Sequence, residues 1–111
     1  MTTKRTAGQQ AKYDRDRAAR LVRTYGITIT EYEEIKDAQN GTCFICTRAK
    51  GLSRPLQVDH DHALEAQGVP MRATIRGLLC GRCNNRLGWY EARAERVQAY
   101  LLSPPAKGVL Q

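Results

Sequence analysis

Cys43-Phe44-Ile45-Cys46, Val58-Asp59-His60-Asp61-His62 and Cys80-Gly81-Arg82-Cys83 form one constellation, two Cys-x-x-Cys pairs bracketing a run of carboxylates and imidazoles. A two-residue gap lets both sulfurs of a pair reach one ion at about 2.3 Å, so four thiolates in two pairs suit tetrahedral zinc. The bracketed run is chemically different. Its hard carboxylate oxygens suit a magnesium-type cation, and an imidazole, titrating near neutral pH, suits proton transfer. The cysteines therefore read as structural and the Asp-His run as the seat of the chemistry. Between Cys46 and Cys80 lie 33 residues, positions 47 to 79. That is longer than a compact zinc ribbon needs, which makes the metal a staple across the two ends of an inserted hairpin. Iron–sulfur ligation, four unpaired thiols and a pair of disulfides are the competing readings of the same cysteines.

Working outward, Pro55–His60 predicts a short strand and Thr74–Leu79 a second one ending at Cys80. The stretch between them, Ala63 to Ala73, contains Gly68 and Pro70 and predicts a long, mobile hairpin loop. Simple alternation sends neighbouring residues of a strand to opposite faces, so Asp59 and His60 converge only if the strand ends or bulges there. On the N-terminal side, residues 1–8 are polar and read as frayed, and Gln9 to about Tyr25 suits a basic helix stopped by Gly26. Thr30-Glu31-Tyr32-Glu33 signals a capping box for a second helix running to about Gln39, broken by Asn40-Gly41 just before the first knuckle. After Cys83, Asn84 to Leu87 predicts a helical turn halted or bent at Gly88. Tyr90 to Leu102 predicts a further helix with Val97, Tyr100 and Leu101 buried, closed by Pro104-Pro105. Trp89 reads as a packing residue beside that core, with base stacking as its alternative role.

At 111 residues the chain is one small domain, short of the size at which an apolar core alone is comfortable, so a zinc staple would help. The start, Met1-Thr2-Thr3-Lys4-Arg5, has no apolar export segment, and no stretch approaches membrane-spanning length, which leads to the expectation of a cytoplasmic protein with no membrane partner. The formal charge is +7, from 18 Lys+Arg against 11 Asp+Glu. An excess of this size favours a polyanionic partner, most simply nucleic acid, over a surface that is merely basic and solvated. Arginine carries most of it, with Arg15, Arg17, Arg20 and Arg23 in the N-terminal third and Arg72, Arg76, Arg82, Arg86, Arg93 and Arg96 in or after the suspected site. A guanidinium matches phosphate bidentately, which favours phosphate contact.

Among the candidates, Asp59 supplies an anionic oxygen for Mg²⁺ or Mn²⁺ and His60 a general base; the other role for the histidines is to complete or support the zinc site. Asn84 directly follows the last cysteine. Its side-chain oxygen can be the second protein ligand of the catalytic cation or merely a helix N-cap, with Asn85 as its substitute. Arg76 is a candidate for the scissile phosphate. His62 either orients that phosphate or bonds the hairpin backbone, and Asp61 is either a supporting carboxylate or solvated.

Asp-Ala-Gln-Asn-Gly-Thr-Cys-Phe-Ile-Cys (37–46), Val-Asp-His-Asp-His (58–62) and Arg-Gly-Leu-Leu-Cys-Gly-Arg-Cys-Asn (76–84) resemble the recombination endonuclease VII family of phage-type HNH nucleases. The three blocks occur in the family's order over roughly Thr30 to Tyr90. The resemblance implies an α+β fold with a ββα-metal (HNH, His-Me finger) core, stapled by zinc on Cys43, Cys46, Cys80 and Cys83 and flanked by N- and C-terminal helices. It divides the chain into a basic helical arm (1–29), the zinc-stapled nuclease domain (30–103) and a C-terminal tail (104–111). It further implies a catalytic Mg²⁺ or Mn²⁺ on Asp59 and Asn84, His60 as the base, and cleavage of branched DNA such as four-way (Holliday) junctions by an intertwined homodimer, in the host cytoplasm if the chain is phage-encoded. Two departures stand out. The family's acidic residue three positions after the asparagine is Leu87 here, and the stretch from Ala63 to Ala73 replaces a short Thr-Gly turn. A general HNH nicking endonuclease acting on duplex DNA and a non-catalytic zinc DNA-binding module are the alternative functions.

Overall fold

The computed structural model describes residues 4–111. The first three positions of the expected frayed start lie outside the described residues. From Thr6 onward the chain is ordered earlier than its polarity suggests. The Thr6 hydroxyl accepts from the Gln9 amide and the Gln9 side chain returns to the Thr6 N–H, a reciprocal box that starts helix α1 at Ala7–Tyr25. Gly26 ends it in the left-handed region at φ 72°, its N–H returning to the last turn of carbonyls.

Helix α2 spans Ile29–Ala38, and its cap corrects the expected one: Thr28 and Glu31 form the box, not Thr30 and Glu33. Two Thr-x-x-Glu frames overlap here. The earlier one prevails because it sets Ile27 just before the cap and Tyr32 at the fourth helical position, both buried, the arrangement of a hydrophobic staple. It also leaves Glu31 facing Arg72, whose guanidinium pairs with it and donates to the Gly26 carbonyl at 3.0 Å. Asn40 and Gly41 then break the chain as expected, both at positive φ (60° and 76°).

Strands β1 (Gln57–His60) and β2 (Ile75–Leu79) form the antiparallel hairpin. The register pairs Asp59 with Gly77 but His60 with Ile75, so Arg76 is an extra residue bulged out of β2 at the Asp59/His60 step. The mobile loop expected between the strands is instead two short helices, α3 (His62–Ala66) and α4 (Met71–Thr74). Local hydrogen bonding explains the order. Asp61 Oδ1 accepts from the amides of Ala63 and Leu64 to cap α3, Thr74 is buried with its hydroxyl on Met71 O, and Asp61 N donates to Thr74 O at 2.8 Å to close the base of the insert.

Helix α5 (Gly81–Glu91) follows β2 and packs across both strands. It runs straight through Gly88, where a turn was expected to halt. Gly88 has ordinary helical space around it, and the break falls at Ala92 and Arg93 instead. Helix α6 (Ala94–Leu102) ends before Pro104, and Pro105 then opens a last helix, α7 (Pro105–Leu110). The core is small, centred on Leu78, Cys43, Tyr32, Leu56 and Val58 and bordered by the cysteine cluster. The expected burial of α6 is not observed. Tyr100 and Leu101 are exposed at 63% and 69%, and Trp89 at 57%, while the hairpin is packed by α2 and α5. The chain is thus an α+β protein, with one two-stranded sheet among the described residues.

Candidate metal centre and the adjoining strand

Two loops converge to make the cysteine cluster. Cys43 and Cys46 belong to a tight knuckle in which Cys43 N donates to Ala49 O and Thr47 N to Cys43 O, while Cys80 and Cys83 sit at the start of α5. The four sulfurs lie within 4.8 Å of one another, Cys46 and Cys80 at 4.0 Å, and none is in a disulfide. Four sulfurs at zinc-bond length around one ion stand about 3.8 Å apart, so the set fits that metal. The surroundings favour thiolate on one side and burden it on the other. Backbone N–H groups of Ala49 and Arg48 hold the Cys46 thiol down at about 6, whereas burial pushes Cys83 up to about 12. A cation at the centre would favour thiolate at all four positions.

On the hairpin, the bulge turns Arg76 onto its neighbour strand. Its Nε and Nη2 donate to the two oxygens of Asp59 at 2.8 and 3.0 Å, and its Nη1 and Nη2 reach Glu91 at 2.9 and 3.1 Å. Asp59 is only 6% exposed, so the guanidinium is the counter-charge of a buried carboxylate. Glu91 first and Asp59 second hold Arg76 more firmly protonated, and Arg76 in turn keeps the Glu91 carboxyl below its usual range. His60, one step past the bulge, turns the other way. Its Nε2 contacts Glu65 of α3, and its ring meets that of His62 edge-on with centroids 4.4 Å apart. Asn84 lies on the first turn of α5, where its Nδ2 donates to Gln57 Oε1 at 2.9 Å. Its amide is therefore bonded to a side chain and not to the helix terminus, which begins at Cys80.

The expected residues thus occupy three adjoining groups along one strand and the helix over it: Asp59 with Arg76, His60 with His62, and Asn84 with Gln57. No hydrogen bond among the described residues joins Asp59, His60 and Asn84 to one another. Three partners were missed. Glu65 was hidden in an expected loop, although Asp61 before it is a cap signal. Glu91 was hidden by the expected halt at Gly88, although it lies seven residues from Asn84, two turns along the same helix face. Gln39 was read as a helix end, yet its carboxamide makes both hydrogen bonds to the Leu78 peptide (2.9 and 2.8 Å).

Beside the strand runs a groove of about 420 Å³ lined by Arg17 and Arg20 of α1 together with Tyr32, Gln57 and Asn84. A second hollow beside the cysteine cluster is lined by Arg48, Arg82 and Arg86. No helix among the described residues is long and apolar enough to cross a membrane.

A cysteine-clustered hairpin carrying an Asp-His step, overlaid by a helix that begins at the second knuckle, defines the class. The chain belongs to the recombination endonuclease VII family, matching it over residues 18–103. It is 45% identical over 95 residues to the Gene 59 protein of Mycobacterium phage L5 and 44% identical over 95 residues to that of Mycobacterium phage D29. In each case the match covers 82% of this chain and 53% of the relative, so the chain spans about half the length of the curated relatives it matches. No solved structure matches the chain significantly.

Proposed function

We propose that the chain is a metal-dependent DNA endonuclease of the ββα-metal, HNH type that hydrolyses phosphodiester bonds in branched DNA such as four-way junctions, as a homodimer, with zinc on Cys43, Cys46, Cys80 and Cys83. The observation that carries this reading is the adjacent placement of Asp59 and His60 at the end of β1 beside the helix bearing Asn84, with Arg76, bulged out of β2, forked onto Asp59.

In this reading Asp59 and the Asn84 carbonyl oxygen would hold Mg²⁺ or Mn²⁺, and a cation there would supply charge stabilisation for the phosphoryl group and the leaving 3′-oxygen. The donor set suits such an ion: one carboxylate and one amide leave the other positions to water and phosphate. Arg76 is the counter-charge of Asp59, and a cation held by Asp59 would leave its fork available to the scissile phosphate. His60 takes the proton from the attacking water, leaving a 5′-phosphate, and His62 orients the strand. Glu91, one helical turn beyond Leu87, supplies the acidic group that the family places at that position. Arg17 and Arg20 in the groove beside Asn84 track the DNA backbone.

The test is cleavage of a synthetic four-way junction by purified protein with Mg²⁺, run beside linear duplex. His60→Ala is expected to lower cleavage by at least about 10²-fold while zinc content and DNA affinity stay near wild type. An unchanged rate removes His60 as the base. A general nicking endonuclease is the second reading, favoured by the ordered α3–α4 insert that stands beside His60 in place of a short turn. Equal rates on junction and duplex would select it.

A further inference from the structure

The insert between the strands does more than cover the hairpin. His60 ends β1, Asp61 caps α3, and His62 and Glu65 stand three residues apart on the same face of that helix. Ligand atoms of His60, His62 and Glu65 all lie within 4.8 Å of one another, with Glu65 already against His60 Nε2. These are the only two histidines in the chain, and both are here. We propose that His60, His62 and Glu65 form a second transition-metal site that takes Zn²⁺, separate from the four cysteines.

Two imidazoles and one carboxylate are a zinc donor set that leaves a fourth position for water. Bonds of about 2.0–2.1 Å hold tetrahedral ligands about 3.3 Å apart, so ligand atoms within 4.8 Å of one another stand near the spacing an ion needs. His62 and Glu65 are exposed, which gives the ion an entry path. Imidazole nitrogen favours Zn²⁺ over Mg²⁺, so this site does not compete for the oxygen-seeking cation assigned to Asp59 and Asn84. The cap on Asp61 makes the arrangement specific to this insert, since it is the start of α3 that carries Glu65 back over His60. The site stands without the nuclease reading. If that reading holds, an ion here occupies the ring lone pair of His60 that a base needs, and zinc occupancy and cleavage exclude each other.

The experiment uses the full chain carrying one equivalent of Zn²⁺ on its cysteines and titrates it with further Zn²⁺ by calorimetry, then with Co²⁺ followed in the visible spectrum. A second equivalent is expected, with Co²⁺ bands lacking thiolate charge transfer. His62→Ala and Glu65→Gln should each weaken it by more than about tenfold, the loss that even outer-shell changes typically cause, while the cysteine-bound equivalent remains as an internal check on folding. Uptake of one equivalent only, a second equivalent of unchanged affinity in both variants, or a thiolate band growing with the second ion would each overturn the site. None of these readouts needs cleavage, so an inactive chain that binds two ions would count against the nuclease reading and not against this one.

Discussion

Arg76 and Asp59 are joined by a two-pronged ion pair across the one bulge of the hairpin, at 2.8 and 3.0 Å. The side chain of Asp59 is 8% exposed and that of Arg76 33%. The pair is therefore half solvated on the arginine side and nearly dry on the other. Arg76→Ala strands a buried carboxylate and is expected to cost about 1–3 kcal/mol in denaturant unfolding, below the figure for a fully buried pair because solvent already screens the guanidinium. Arg76→Lys keeps the charge but not the fork, and should recover only part of the loss. A variant as stable as wild type would show that Asp59 has another counter-charge.

Removal of zinc should act on the whole domain. The four sulfurs tie a knuckle at Cys43 to a helix start at Cys80, and Cys43 and Cys83 are themselves part of the small core. Chelation is expected to abolish cooperative melting and much of the helical circular dichroism, and Cys83→Ser to mimic it. An unchanged melt in the metal-free protein would refute a structural metal.

Tyr32 is a second stability test, independent of any ion. Its hydroxyl donates to Leu56 O at 2.6 Å in the core, 24 residues away in sequence. Tyr32→Phe keeps the ring but leaves that carbonyl unpaired, for an expected loss of about 1–2 kcal/mol. A neutral result by thermal melting would mean that water reaches the carbonyl.

Glu31 gives a pH dependence of known sign. Hydrogen bonds from Arg72 and then from the Thr28 N–H lower its carboxyl from 4.5 to about 2. A group depressed in the folded state stabilises fully above its unfolded value and loses that contribution as pH falls through the folded one. The difference in melting temperature between wild type and Glu31→Gln is therefore expected to be constant above about pH 5 and to shrink toward pH 2. A gap that stays constant down to pH 2 would contradict the pairing with Arg72.

DNA affinity should fall steeply with salt if the arginines work by releasing counterions. For six or more phosphate contacts the loss is about 10³-fold between about 50 and 200 mM salt. Arg17→Ala and Arg20→Ala, which alter the groove beside Asn84, should each reduce the log–log slope by about one unit. Variants with the wild-type slope would move the DNA off this face.

The sequence made some of these parts legible and concealed others for physical reasons. The two knuckles, the hairpin, the Gly26 stop and the Asn40-Gly41 break follow from short-range chemistry, and they stand where residue type and spacing put them. Although Asp59 and His60 turn to different partners, the need for a bulge if they were to converge was readable. That Arg76 is the bulged residue was not, because register depends on a partner strand. The cap of α2 was ambiguous between two overlapping frames until Ile27 and Tyr32 could be seen to share a core. Helix α6 misled most. Its apolar spacing is real, but periodicity says which face is apolar and not whether anything covers it, and Tyr100 and Leu101 stand open. Glu91 and Glu65 were lost for the opposite reason, each sitting beyond a glycine or inside a stretch judged irregular.

Gln39 has a wider effect than closing a helix. By bonding both the N–H and the carbonyl of Leu78, its carboxamide stands in for the peptide of a missing third strand, and a side chain at Gly77 would collide with it at 2.9 Å. That rim of the hairpin is sealed against extension by another polypeptide. The ladder therefore does not propagate past Leu78 on this edge into a fibre.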